Sequence, residues 1–465
     1  MPRMLALPNE ILLQVIEKLS HGGLENFALT CKRILDLSWD AIQEKKNTYA
    51  TITCGATSGL HLFDFLHDIL LDDSIAVYTT EFLIGNRSVR GGSCQTAHQV
   101  CQNLLGVEHE IDAVLSACPY LDCDQGNEFK QLIMTGDEDM VAALLITLLP
   151  NLLSIKMRGC SLWDYPILSQ LFDNISESPS CKALGRDWDS AARYVQQEAR
   201  RKRDSMELST AGTTTSASRR IEALGKVRDA NIICETALTD FPWPSPFLSL
   251  PSMQSVSCRN FTIADRLERT YSPYSIANLD FQNISTDAIC LGELLTNISS
   301  LRHFRYVEST FKGEPCDIIR ILSLKQNRSL VSLALTGNRY AVASRQWTGF
   351  VSYLKDFQAL TTISLDNTML SKDYNKGTEN NAPGVPWRNV SSNVELLPIT
   401  VTSLTLAQPF SEGVGRELLK SLPKQKMKGL SGLTEVSFEH EPNLGADLED
   451  ALKDAGIELR FPNRA

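Results

Sequence analysis

The amino-acid sequence predicts an α/β protein built in two parts, a short all-helical module followed by a long run of strand-and-helix repeats. Three observations predict it. Apolar residues recur at helical period over about the first 45 residues, an L-x-x-L-x-L pattern recurs eight times further on, and period-2 alternation runs inside each recurrence.

The opening module comes first. Ile11, Leu12, Val15, Ile16 and Leu19 form one apolar stripe, and Pro8 suits a first helical turn. Ser20-His21-Gly22-Gly23 ends this helix. A second short helix carries Leu24, Phe27, Ala28 and Cys31, and Lys32-Arg33 leads into a third with Ile34, Leu37, Trp39 and Ile42. Phe27 and Trp39 are expected to pack inside. So small a segment buries too little apolar surface to be comfortably stable alone, so the rest of the chain or a partner is expected to cover its stripe. The plainer alternative is the opening helices of an ordinary domain.

The order Leu7-Pro8-x-Glu10-Ile11-Leu12, with Cys31-Lys32-Arg33 after a spaced leucine pair, resembles an F-box. The resemblance implies binding to the adaptor subunit of SCF-type ubiquitin ligases and, through it, to a cullin. By position it implies that Leu7, Pro8, Ile11, Leu12, Ile16, Leu19, Leu24, Leu29, Cys31 and Lys32 face the adaptor.

The repeats follow: LLSIKM from 152, MQSVSC from 253, IANLDF from 276, LRHFRY from 301, LVSLAL from 330, LTTISL from 360, VTSLTL from 401 and LTEVSF from 433. The apolar residues in each last half alternate with polar ones, as in a strand with one buried face. From 253 onward the starts lie 23 to 41 residues apart, room for a strand plus a helix or loop. This is the pattern of a leucine-rich-repeat-like solenoid, an irregular horseshoe. Only the repeats at Leu152 and Leu330 carry Cys or Asn at the ninth position, as Cys160 and Asn338. The alternative is a doubly wound α/β domain, although no Gly-rich phosphate loop follows any strand.

AVYTTEFLIG, ending at Gly85, is expected to be the first strand after the helix LHLFDFLHDILL, and GIELRFP the last. The run from Leu60 to Gly85, with ALLITLLPNLLSIKM later, is similar to fungal F-box proteins whose irregular repeats begin in this way. The pattern lapses between about 174 and 250. That stretch holds a helical segment from about Trp188 to Asp204, the basic run Arg200–Arg203, and a Ser/Thr/Ala/Gly stretch from Ser209 to Ser218 expected to be a flexible loop. Lys372 to Pro386 is expected to be a second inserted loop. The expected divisions are residues 1–48 for the F-box, 49–173 for a helical linker region and first repeats, 174–250 for a partly flexible insertion, and 251–465 for the solenoid.

Composition narrows the function. At 465 residues, 43% hydrophobic and 22% charged, the chain has material for a large core. A net charge of −10 speaks against a nucleic-acid or anionic-membrane surface. Met140 to Leu149, the longest apolar run, is too short to span a bilayer, and Pro8, Asn9 and Glu10 interrupt the start where a signal peptide would be apolar. Twelve cysteines without paired spacing point to reduced thiols in the cytosol or nucleus, and to chance Asn-x-Ser sequons.

No catalytic signature is present, and Gly413-x-Gly415 lacks the third glycine of a nucleotide loop. Cys94, His98, Cys101, His109, Cys118 and Cys123 are the densest Cys/His cluster and would suit zinc, but without a Cys-x-x-Cys chelate, buried thiols are the better reading. Neither metal nor cofactor is expected. Arg200–Arg203 reads as a solvated helix end or, alternatively, a nuclear-import signal. His303 and His440 support no acid/base dyad.

The expected function is therefore substrate reception for an SCF-type ubiquitin ligase, with catalysis in other subunits. The alternatives are a repeat scaffold outside ubiquitination and a hydrolase or transferase with an unrecognised site. Alternation places Lys156, Arg158, Arg259, Asp280, Gln282, His303, Arg305, Asp366, Glu435 and Glu439 on the concave face, basic first and acidic last, as the expected substrate-binding surface.

Overall fold

The computed structural model describes residues 7–19, 21–54, 62–85, 104, 106–118, 126–159, 165–177, 225–234, 245–248, 250, 252–263, 274–307, 310–312, 315–336, 352–366, 394–407, 412–439 and 444–461. The chain divides into two compact units, Met1–Glu235 with Pro246–Met253, and Thr236–Ser245 with Gln254–Ala465.

The first unit opens with three helices, α1 (Asn9–Lys18), α2 (His21–Ala28) and α3 (Lys32–Tyr49). Four parallel strands follow, paired in chain order: β1 (Thr51–Cys54), β2 (Glu81–Ile84), β3 (Ser154–Arg158) and β4 (Asp229–Ile233). Between them run α4 (Leu62–Leu71), a 3₁₀ turn at Asp73–Tyr78, α5 (Glu108–Ala117), α6 (Gly126–Met134), α7 (Glu138–Leu148) and α8 (Pro166–Glu177). The run Met140–Leu148 is α7, apolar on all sides because it is buried all round. Its Asp139, itself buried, accepts from Ile167 N at 2.7 Å and Leu168 N at 2.9 Å and so satisfies the open N–H groups at the start of α8. Among the described residues no helix is long and apolar enough to cross a membrane.

In the second unit β5 (Ser255–Arg259), β7 (Asn278–Gln282), β9 (His303–Val307), β11 (Ser332–Thr336), β12 (Thr362–Asp366), β13 (Ser403–Ala407), β14 (Glu435–Phe438) and β15 (Glu458–Arg460) form one parallel sheet. Its helices are α9 (Ala288–Asn297), α10 (Pro315–Gln326), α11 (Glu412–Lys428) and α12 (Ala446–Asp454). A second parallel sheet of three short strands joins β6 (Thr262–Ile263), β8 (Ser285–Asp287) and β10 (Thr310–Lys312), which alternation did not reveal. In each unit the larger sheet adds strands in chain order with no reversal, whereas a doubly wound sheet reverses at its switch point.

Two strands depart from the expected scheme. AVYTTEFLIG ends in β2, the first strand after α4 as expected, though residues 76–78 belong to the 3₁₀ turn; the strand not foreseen is β1, which follows α3 directly and precedes α4. The lapse before residue 250 contains β4, whose inward residues are Ala230 and Ile232; the small Ala230 hid the repeat. The turn that closes each repeat also differs. Gly159, Asn260 and Asn283, at the eighth position, have φ of 69°, 64° and 51°, in the left-handed region that Gly and Asn enter at least cost. Asn260 N donates to Gln282 O at 3.0 Å, Asn283 N to Val307 O at 2.8 Å, and Asn283 Nδ2 to Asn260 Oδ1 at 2.7 Å. In the two repeats closed by Asn260 and Asn283 the ninth position is apolar and buried, as Phe261 and Ile284. Cys160 and Asn338 lie outside the described residues, as do Trp188–Asp204, Ser209–Ser218 and Lys372–Pro386.

Two polar devices fix neighbouring repeats. Thr361 Oγ1 donates to Val331 O at 3.3 Å, Thr402 Oγ1 to Thr361 O at 3.3 Å and Thr434 Oγ1 to Thr402 O at 3.2 Å, a threonine ladder along the strand-entry edge. Buried Gln326 donates to Ile298 O at 2.7 Å and Leu295 O at 3.1 Å and accepts from Leu301 N at 3.1 Å, clasping the end of α9 to the entry of β9.

Candidate functional site

In α1 the side chains of Leu12 and Ile16 turn inward, one helical turn apart. Ile16 packs in a cluster with Leu24, Ala28 and Ile42, flanked by the half-buried Leu19, Phe27, Leu35, Leu37 and Ala41. Ser38, buried on α3, returns its hydroxyl to Ile34 O at 2.7 Å. Arg33 closes the module by donating from Nε to Asn9 Oδ1 at 3.1 Å and from Nη2 to Leu7 O at 3.0 Å.

This core alters the expected adaptor face. Leu12, Ile16 and Leu24 are buried, at 2% exposure or less, and with Ala28, Ile34 and Ile42 they fill the core of the segment instead of its surface. Leu7, Leu19 and Cys31 are half-buried, whereas Pro8 and Lys32 are exposed. Ile11 and Leu13 stand 41% and 41% exposed on the two flanks of the buried stripe, and Leu29 is 79% exposed. Phe27 packs against the core as expected. Trp39 does not. It is 53% exposed, because α3 points Ile34, Ser38 and Ile42 inward and leaves Trp39 about 100° round from Ser38.

Polar contacts tie α3 to the rest of the module and to the first repeats. Lys45 Nζ donates to Leu19 O at 3.1 Å, and burial lowers its pKa against the opposing pull of Asp72. Lys46 pairs with Glu25 at 3.7 Å and lies 5.6 Å from the centre of the Tyr78 ring. Burial, then a hydrogen bond to Glu25, raises the Tyr78 pKa. Tyr49 donates to Asp68 Oδ2 at 3.1 Å, and burial foremost, with the Asp68 charge, raises its pKa to about 12.

The outward sheet faces carry the other expected site residues. In the first unit Lys156 pairs with Glu81 at 2.7 Å, while Arg158 is exposed and makes no ion pair among the described residues. In the second, Arg259 is exposed and likewise unpaired. Asp280 accepts from Gln282 Nε2 at 3.0 Å and pairs with Arg305 at 3.3 Å, and His303 is exposed. Glu435 accepts from Ser437 Oγ at 2.9 Å and pairs with Arg460 at 3.1 Å, and Glu439 is exposed. Asp366 is 0% exposed, which takes its carboxylate off the surface, and its row neighbour Ala407 is buried too. The expected gradient from basic to acidic is thus partly neutralised by Glu81, Asp280 and Arg460, charges one strand away that spacing along the chain does not pair.

Of the cysteine and histidine cluster, His109 lies in α5 and Cys118 is buried just after it; Cys94, His98, Cys101 and Cys123, like His440 and Arg200–Arg203, fall outside the described residues. Among the described residues no group of three or more His, Cys, Asp or Glu could hold a metal ion. Gly413 and Gly415 lie within α11 and form no loop.

Residues 4–41 match the F-box domain family, so the chain carries an F-box domain at its N-terminus, followed by a strand-rich region of parallel sheet. Among solved structures, one described as "Crystal structure of TLR13-ssRNA13 complex" is similar at 10% identity and a TM-score of 0.24, over 88% of this chain and 60% of that one. The chain thus spans less than two thirds of that structure. No curated protein matches.

Proposed function

We propose that the chain is a substrate-recognition subunit of an SCF-type ubiquitin ligase, working in the cytosol or nucleus. Its F-box docks on the ligase adaptor and through it on a cullin, and its leucine-rich-repeat-like region holds the protein to be ubiquitinated. The chain is non-catalytic in this reading. It supplies proximity, raising the effective concentration of substrate lysines near the transferring enzyme.

One observation carries the reading. Ile11, Leu13, Leu29 and Trp39 are four large apolar side chains exposed within 29 residues, on the segment that matches the F-box family. Scattered singly such residues need no explanation, but so many on so small a module support the reading of a docking element. The contacts of Lys46 with Tyr78 and of Tyr49 with Asp68 tie the F-box to the first repeats that follow it, which suits a docking element joined to a repeat region.

Co-purification tests it. The wild-type chain should capture the adaptor, and a chain carrying Ile11→Glu with Leu29→Glu, still folded by circular dichroism, should not. Absence of adaptor from the wild-type preparation, under conditions where another F-box protein retains it, would leave a repeat scaffold as the better description.

A further inference from the structure

We infer that the outward face of the second unit's sheet is built for an extended peptide segment of a partner protein. That segment crosses the strands with a carboxylate at the β5–β9 end and a basic side chain at the β14–β15 end. The inference deepens the substrate-receptor reading and rests on it.

Parallel pairing without slippage sets equivalent residues side by side in rows across the strands. One row reads Ser255, Asn278, His303, Ser332, Thr362, Ser403, Glu435, Glu458. The next reads Ser257, Asp280, Arg305, Ala334, Ser364, Thr405, Ser437, Arg460. On these two rows charge is confined to the two ends. At β5–β9, Arg259 and Arg305 stand against Asp280, a net +1; at β14–β15, Glu435, Glu439 and Glu458 stand against Arg460, a net −2.

Between the ends, these two rows carry only small, half-buried side chains on β11–β13, beside the buried Thr336, Asp366 and Ala407 of the next row. The hydroxyls of Ser332, Thr362, Ser364, Ser403 and Thr405 make no hydrogen bond among the described residues. Short side chains with free hydroxyls let a peptide backbone come close and find donors and acceptors. Six strand steps separate β5 from β14, about 29 Å at roughly 4.8 Å per step, the reach of about nine extended residues.

The charges favour a carboxylate over a phosphate. Asp280 already neutralises Arg305, so Arg259 is left as a single guanidinium, which matches a monoanion and undercompensates a phosphate of charge near −2. Opposite charge at the two ends then fixes which way the segment lies.

The test is selection from a random 16-residue peptide library displayed on phage, with the full chain as bait and without adaptor. Enriched peptides should carry an acidic and a basic residue about nine positions apart. The Arg259→Glu chain should instead enrich peptides basic at both ends, and should bind the wild-type winners roughly tenfold more weakly by fluorescence anisotropy. No enrichment over empty beads, uncharged winners, or the same winners from both chains would overturn the inference. So would self-association of the wild type in sedimentation that Arg259→Glu abolishes, because the occupant would then be a second copy. Arg259 lies outside the F-box, so adaptor capture by this variant reports separately on the receptor reading.

Discussion

Arg33, at the start of α3, holds Asn9, at the start of α1, with two guanidinium nitrogens on one side-chain oxygen, and reaches past it to Leu7 O. The bonds span 24 to 26 residues and join the first turn of the F-box to its third helix. No side-chain hydrogen bond caps α1 at Pro8, so this clasp does the work of a cap from outside the helix. Arg33→Ala should lower global stability by no more than about 1 kcal/mol, since the contacts are exposed. It should nonetheless speed amide exchange in α1 and weaken adaptor capture. Unchanged exchange over residues 9–12 would show that α1 holds itself.

Gln326 should be far more sensitive. Gln326→Leu leaves Leu301 N and two carbonyls at the end of α9 buried without this partner, at an expected cost of about 2–4 kcal/mol. Urea unfolding followed by circular dichroism should show the loss in the second unit, with adaptor capture retained.

Asp139→Ala should destabilise the first unit by about 1–2 kcal/mol, the usual range for a lost helix-start acceptor, because the N–H groups of Ile167 and Leu168 lose it inside the core. Asp139→Asn, which keeps one oxygen, should recover part of the loss. A thermal melt of each variant decides.

Alkali should act through Tyr49. Its folded pKa is raised from an ordinary 10.0 to about 12, so the folded chain keeps the proton after the unfolded chain has lost it. This contribution is fully present below about pH 10 and is lost as pH rises through the folded value. Wild type should therefore lose stability between about pH 10 and 12, and Tyr49→Phe should lose less over the same interval. Equal losses would place the effect elsewhere. Lys45 works in the opposite sense, since its lowered pKa means that its burial costs least once it is neutral.

The three helices of the F-box were legible because an apolar stripe at helical period needs no knowledge of the partner. Which flank of that stripe stays open was not. Ile11 and Leu12 are adjacent and chemically alike, yet one is exposed and the other buried, and only the packing of α1 on α3 separates them. In the larger sheet the strands from β5 to β14 were legible through their leucine-like positions, whereas β4 escaped because Ala230 fills an inward site with little side chain. Asp366 was misplaced outward because alternation gives the direction of a side chain and says nothing of what lies over it. The charge pairs of Lys156, Arg305 and Arg460 were hidden for a related reason: their partners are set by register between repeats, and register is a property of the folded sheet.

Thr361, Thr402 and Thr434 reach back over 30, 41 and 32 residues of chain, yet their hydroxyl bonds measure 3.3, 3.3 and 3.2 Å. The sheet is therefore indexed at its edge by a ruler that ignores contour length. Segments between rungs are free to lengthen or shorten without shifting any row, and closing a longer loop adds only about 0.6 kcal/mol for each doubling. An epitope tag or small reporter spliced between β12 and β13 would leave the residues facing a partner in place. Divergence can likewise rewrite the joins of such a protein while its reading surface keeps its spacing.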